Sequence, residues 1–173
     1  IDEINRGNLS KIFGELFMLI EKDKRGIELQ LLYSDENFSV PANVYIIGMM
    51  NTADRSLAML DYALRRRFSF FTMKPGFNAP GFQAYQDSLK SDDFNKLIAC
   101  VKQLNSKIAE DISLGEGFCI GHSYFCSLTP ETANTQTLSS IVEYELIPLL
   151  KEYWFDEPAN VIDWGDRLRS AVK

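Results

Sequence analysis

No run in this chain approaches the ~20 consecutive apolar residues that cross a membrane as a helix, and no signal-peptide pattern is visible. The expectation is a protein without a membrane partner. Histidine occurs once, at His122, and cysteine three times, at Cys100, Cys119 and Cys126. Three thiols cannot all pair within the chain, which disfavours a disulfide-built secreted scaffold and makes a reducing cytoplasm the expected location. Positive charge is in deficit. The 18 Lys and Arg against 24 Asp and Glu give a net charge of −6, which argues against a general nucleic-acid binder while leaving room for a local basic patch. An initiating methionine is also missing. The chain opens Ile1-Asp2-Glu3, directly on what reads as the end of a strand, so the expectation is a fragment whose beginning lies elsewhere.

What is present suits an ordinary globular fold. With 173 residues, 46% of them hydrophobic and 12% aromatic, the chain can bury a sizeable core in one domain or a small pair. Its organising stretch is Met50-Asn51-Thr52-Ala53-Asp54-Arg55-Ser56. The preceding Val44-Tyr45-Ile46-Ile47-Gly48-Met49 reads as a strand buried on both faces, as in the middle of a parallel sheet. The polar heptad then leaves the carboxyl end of that strand, where open α/β sheets place their ligands. Ser56 can cap a helix carrying Leu57, Leu60, Ala63 and Leu64 and ending in Arg65-Arg66-Arg67-Phe68.

Upstream, Ile1-Asp2-Glu3-Ile4-Asn5-Arg6 places two adjacent carboxylates just after an apolar residue. In nucleotide hydrolases such an aspartate holds Mg²⁺, directly or through water, while the glutamate activates the attacking water. Without context the same pair also reads as a solvated helix entry. Gly7 and Asn8 introduce a helix with Leu9, Ile12, Phe13, Leu16, Phe17, Leu19 and Ile20 on its core face. Lys22-Asp23-Lys24-Arg25-Gly26 stops it. Leu29 to Tyr33 and Phe38 to Val40 flank Ser34-Asp35-Glu36-Asn37 as a hairpin. Phe68 to Met73 reads as a further strand.

The stretch from Lys74-Pro75-Gly76 to Pro80-Gly81 punctuates the chain and predicts a boundary between residues 1–76 and 77–173. Beyond it the pattern is helical. Ser91-Asp92 caps a helix bearing Phe94, Leu97, Ile98, Val101, Leu104 and Ile108. After a loop with Gly115, Gly117 and Gly121, a helix runs from about Thr137 to Trp154, kinked or broken near Ile147 by Pro148. Asn160 can cap a last helix with Val161, Trp164 and Leu168.

Three motifs in register, Ile1-Asp2-Glu3-Ile4-Asn5-Arg6-Gly7-Asn8, Met50-Asn51-Thr52-Ala53-Asp54-Arg55-Ser56 and Asp61-Tyr62-Ala63-Leu64-Arg65-Arg66-Arg67-Phe68, closely resemble the McrB family. The likeness extends through Gly121-His122-Ser123-Tyr124-Phe125 to the end. That family comprises AAA+ GTPase subunits of methylation-dependent restriction systems. The resemblance implies an α/β fold, namely the C-terminal half of an αβα nucleotide-hydrolase core followed by an α-helical lid. It implies that Asp2 and Glu3 are the Walker B pair, with Asp2 holding Mg²⁺ through water and Glu3 as base. Asn51 falls at the first-sensor position, and Arg66 and Arg67 in the arginine-finger region that reaches a neighbouring subunit's nucleotide. The hairpin resembles a pre-sensor insert. Implied with these are GTP as substrate, a ring (a hexamer), an McrC-like nuclease subunit, and DNA contacted mostly through regions outside these residues.

Two departures stand out. No Gly-x-x-x-x-Gly-Lys-Ser/Thr loop occurs in these residues, and the lid position where many AAA+ proteins carry an arginine holds Phe125. Alternative readings are an ATPase of the broader MoxR-like clade, or a non-catalytic AAA+ assembly module. Arg65-Arg66-Arg67 also suits a solvated helix end. Asp54 fits a helix cap as well as a nucleotide-binding residue. Cys119, His122 and Cys126 have a zinc-like spacing, with Cys100 as the one further thiol, but their apolar neighbours favour packing.

Overall fold

The computed structural model describes residues 1–51, 53 and 65–173, and the chain divides into two units, Ile1–Thr72 and Met73–Lys173. In the first unit the Asn8 side-chain oxygen accepts from Lys11 N at 3.0 Å and caps α1 (Leu9–Phe13). The spacing predicts one helix to Ile20, but α1 stops at Gly14, whose φ of +47° is a left-handed backbone that glycine adopts without a Cβ clash. A 3₁₀ segment, Gly14–Ile20, takes over and still buries Leu19 and Ile20. The hairpin forms, in shorter form than expected. β1 (Leu29–Gln30) and β2 (Asn37–Phe38) pair antiparallel, with Leu29 opposite Phe38 and Gln30 opposite Asn37.

The two runs read as strands, Val44–Met49 (buried on both faces) and Phe68–Met73, are not strands here. Tyr45 and Ile47 are exposed, as are Phe71 and Met73. An apolar run becomes a ladder only where its N–H and C=O groups meet strand partners. Among the described residues the first run bonds through its backbone to residues 1–4 and, at Val44 N, to the turn carbonyl of Pro41, and the backbone of 69–73 has no such partner. The helix expected from Ser56 falls on residues outside those described until Arg65.

The second unit is helical: α2 (Pro80–Leu89), α3 (Asp92–Glu110), α4 (Thr135–Ile141), α5 (Ile147–Tyr153) and α6 (Pro158–Ala171). Ser91 Oγ accepts from Phe94 N at 3.3 Å, and the six apolar residues expected on α3 are all buried. They pack with Phe125, Leu146, Trp154 and Leu168 in one core, α3 lying against α2, α4 and α6. Between α4 and α5 the chain widens into a π-turn, Val142–Leu146, in which Ile147 N–H reaches back five residues to Val142 O. Pro148 brings no N–H to the next position, so the looser turn absorbs the missing donor, and the expected break takes this form. The last helix begins earlier than its Asn160 suggests. Pro158 sits at its first position with φ already helical, and Asn160 Nδ2 instead donates to Glu157 Oε2 within the first turn. No helix among the described residues is long and apolar enough to cross a membrane.

One polar tie locks the ends of α3 and α5 together. Trp154, buried to 1% exposure, donates its indole N–H to Asp111 Oδ2 at 2.8 Å, while Asp111 Oδ1 accepts from Ser113 N and Oγ at 2.8 and 2.7 Å. The Ser113 hydroxyl first, and the Trp154 indole next, hold the Asp111 carboxyl below its ordinary value of 3.8. A depressed carboxylate stabilises the fold fully above its unfolded value and loses that contribution as pH falls through the folded one. Trp154→Phe should therefore cost about 2 kcal/mol at neutral pH, and the loss of stability on acidification to about pH 3 should be smaller in the variant than in the wild type. Urea unfolding at both pH values measures it; equal losses would separate Trp154 from the acid response.

Candidate active site

The first four residues lie alongside the run that leads to Asn51. Ile1 N donates to Ile47 O at 2.7 Å and Ile1 O accepts from Met49 N at 2.9 Å, the two-sided pattern of a parallel bridge to Gly48. A Cβ on Gly48 would lie 2.7 Å from Ile4 Cδ1, so glycine is what lets the two segments approach this closely. The ladder then breaks at Glu3, which takes φ +47°, a region costly for a side chain with a Cβ. Its N–H turns to Asp2 Oδ1 at 2.9 Å, and Ile4 N takes Met49 O at 2.9 Å in its place. Strain of this kind concentrates at functional sites. The Glu3 carboxylate is held by Arg6, Oε2 to Nε at 2.7 Å.

Ile4 is the hinge pin of the site. It is buried to 6% exposure among Phe13, Phe17, Met50 and Phe68. Ile4 follows Asp2-Glu3, Met50 precedes Asn51, and Phe68 follows Arg66-Arg67, so one small apolar cluster brings three segments far apart in sequence to one place. Asn51 Oδ1 accepts from Ala53 N at 3.1 Å, a local turn that leaves the amide Nδ2 as the donor end of the side chain. Thr52, Asp54 and 55–64 lie outside the described residues, so Asp54 is not placed.

The arginines divide. The Arg65 guanidinium lies 5.9 Å from the centroid of the Phe70 ring. Arg66 is exposed. Arg67 turns back onto its own unit, 4.4 Å over the Phe17 ring and paired with Glu21 Oε1. Arg6, Phe17 and Glu21 thus hold the candidate site residues Glu3 and Arg67, a task that neither the motif containing Arg6 nor the core face containing Phe17 shows. Arg6 stands three residues from Glu3, a spacing at which a pair is expected along a helical turn. Nothing local points from Arg67 to Glu21.

The residues with zinc-like spacing have other partners. His122 Nδ1 accepts from Gly76 N at 3.0 Å, Cys119 Sγ donates to Asn105 O at 3.5 Å and Cys126 Sγ to His122 O at 3.2 Å. Burial pushes the Cys100 and Cys119 thiols above their ordinary value. Phe125 is fully buried in the helical core.

Comparison with known proteins agrees with this layout. Residues 1–68 match the AAA domain of the dynein-related subfamily, and residues 96–162 match the McrB alpha-helical lid domain. The chain is 51% identical over 178 aligned residues to the type IV methyl-directed restriction enzyme EcoKMcrB subunit of Escherichia coli K12, covering 97% of this chain and 39% of that protein. It is 30% identical over 139 residues to the type II restriction enzyme BsuMI component YdiS of Bacillus subtilis 168, covering 68% of this chain and 40% of the relative. The chain therefore spans about two fifths of the length of these relatives. An α/β AAA portion followed by a helical McrB lid is the architecture, and the chain belongs to the McrB family.

Proposed function

We propose that the chain supplies the Walker B, first-sensor and arginine-finger residues, together with the lid, of a GTP-hydrolysing motor subunit in a methyl-directed restriction system. The observation that carries this reading is the Ile4 cluster, which sets the Asp2-Glu3 segment beside Met50-Asn51 within one subunit. In the proposed division residues 1–76 are core and 77–173 lid, and β1–β2 is the pre-sensor hairpin. Subunits would assemble as a ring, a hexamer, in which hydrolysis drives DNA translocation and cleavage with an McrC-like nuclease subunit in the cytoplasm.

Each residue has a chemical task. Glu3 takes the proton of the attacking water. Asn51, with Oδ1 fixed by Ala53 N, turns Nδ2 toward that water or the terminal phosphate. An arginine from the neighbouring subunit stabilises charge on the transferring group. The donor set fits Mg²⁺, since Asp2 offers a hard carboxylate oxygen of the kind this ion takes singly beside waters and phosphates. Asp2 would hold it, and the bound ion would neutralise charge building on the phosphate oxygens.

The test is nucleotide hydrolysis and competition by the full-length protein. GTP with Mg²⁺ should be turned over and should outcompete ATP; preference for ATP would move the protein to the MoxR-like reading. Asn51→Ala should lower turnover about a hundredfold with little change in nucleotide affinity, because its contact belongs to the reacting end. Asp54→Asn should leave base choice unchanged, since a residue at the sensor position cannot also reach the base. A gain for xanthosine triphosphate would overturn that placement. The 173-residue chain by itself should bind GTP weakly and show no turnover, having no phosphate loop.

A further inference from the structure

His122 and Gly76 fit one another in a way the hydrolase reading does not use. Gly76 N donates to His122 Nδ1 at 3.0 Å, and a backbone N–H only donates, so Nδ1 is the unprotonated ring nitrogen. A Cβ on Gly76 would lie 3.0 Å from His122 Cε1 and 3.2 Å from Nε2, so the ring occupies the space a side chain would need. The next residue, Phe77, is buried, its ring 5.3 Å edge-on to Phe82 and 6.2 Å from His122. Gly76 O then accepts from Ala79 N at 3.0 Å where α2 begins. Just before, Lys74 Nζ meets Glu116 Oε1 at 2.9 Å, an exposed pair that contributes little alone. Three successive ties thus hold the strap of residues 74–77 to the helical unit, and the imidazole is the central one.

We propose that His122 is a positioning residue for the hydrolysis cycle. By accepting from Gly76 it fastens residues 74–76, the last of the proposed core, and Phe77 rigidly to the lid helices, so that any turning of the lid takes place in the backbone ahead of Lys74. The role in hydrolysis rests on the nucleotide-hydrolase reading; the clasp does not. A core histidine satisfied by chance would need neither the close-fitting glycine nor the flanking rings of Phe77 and Phe82, at 6.2 and 5.8 Å, and a ring nitrogen already committed to Gly76 is a poor metal ligand. The clasp also gives Gly121-His122-Ser123-Tyr124-Phe125 a task in a lid where Phe125 stands at the position an arginine fills in many AAA+ proteins.

The experiment is hydrogen exchange and steady-state kinetics on the full-length protein, comparing wild type with His122→Phe, His122→Asn and Gly76→Ala. Phenylalanine keeps a ring and removes the acceptor; asparagine restores an acceptor oxygen near the Nδ1 position. The Gly76 amide should exchange slowly in wild type, about tenfold faster in His122→Phe, and slowly again in His122→Asn. In His122→Phe and Gly76→Ala, kcat and KM should shift together by several-fold, as changes at a joint do, with asparagine rescuing both. Equal Gly76 exchange in wild type and His122→Phe overturns the clasp. A fall in apparent kcat at unchanged KM, matching the loss of folded protein, reduces His122 to a packing residue. Absence of turnover in the wild type removes the hydrolase reading, and the exchange result still decides the clasp.

Discussion

On the proposed reading, Glu3→Gln in the full-length protein should lower nucleotide turnover by about 10²–10⁴-fold, the range a positioned general base contributes, while nucleotide binding should stay near wild type. The substitution is sharp because it changes so little else. The backbone features at this position, φ +47° and the N–H to Asp2 Oδ1, do not depend on the carboxylate charge. A glutamine oxygen still accepts from Arg6 Nε, which holds Oε2 at 2.7 Å. What disappears is the ability to take a proton. Calorimetric binding beside single-turnover phosphate release separates the outcomes. Turnover lost with binding retained identifies the base, and both lost together identifies a structural residue. Undiminished turnover removes Glu3 from the mechanism and favours a non-catalytic assembly module.

The elements legible in the sequence are those whose cause is local. Ser91 and six apolar residues at helical spacing define α3 because cap and periodicity lie within one segment, and Pro148 announces a kink or break near Ile147, though not its π-turn form, because a missing N–H is a property of one residue. The strand readings of Val44–Met49 and Phe68–Met73 differ from the structure because a ladder depends on neighbours, and periodicity reports the apolar face without reporting the partner. The candidate site shows the same division. Asp2, Glu3, Asn51 and the arginines stand out as motifs, whereas the Ile4 cluster draws on residues from 4 to 68, and the Arg67–Glu21 pair and the His122–Gly76 clasp each join residues 46 positions apart. No local pattern encodes the long-range pairings of Ile4 with Met50 and Phe68, of Arg67 with Glu21 or of His122 with Gly76; they follow from the fold.

Arg66 and Arg67 look equivalent in sequence but should respond differently when variants are mixed. A finger acts on the nucleotide of the next subunit, so its loss is repaired wherever a sound finger meets a sound base. Arg66 is exposed, as a residue acting in trans must be. Arg67 is bound within its own unit, stacked over Phe17 and paired with Glu21 with only 20% of its side chain exposed. Phe17 packs on Ile4, next to Glu3, so removing Arg67 should loosen the support of Glu3, the proposed base, in the same subunit. Either Arg66→Ala or Arg67→Ala should reduce turnover strongly, the finger by about 10³-fold or more. Mixing full-length Arg66→Ala with Glu3→Gln should recover part of the activity, because an interface can pair the intact arginine of one variant with the intact base of the other. Mixing Arg67→Ala with Glu3→Gln should recover little, because the only subunit with a base then carries the disturbed cluster. Phosphate release across a titration of the two variants reads the result. Recovery with Arg67→Ala and none with Arg66→Ala would exchange the two roles, and no recovery with either would end the trans assignment.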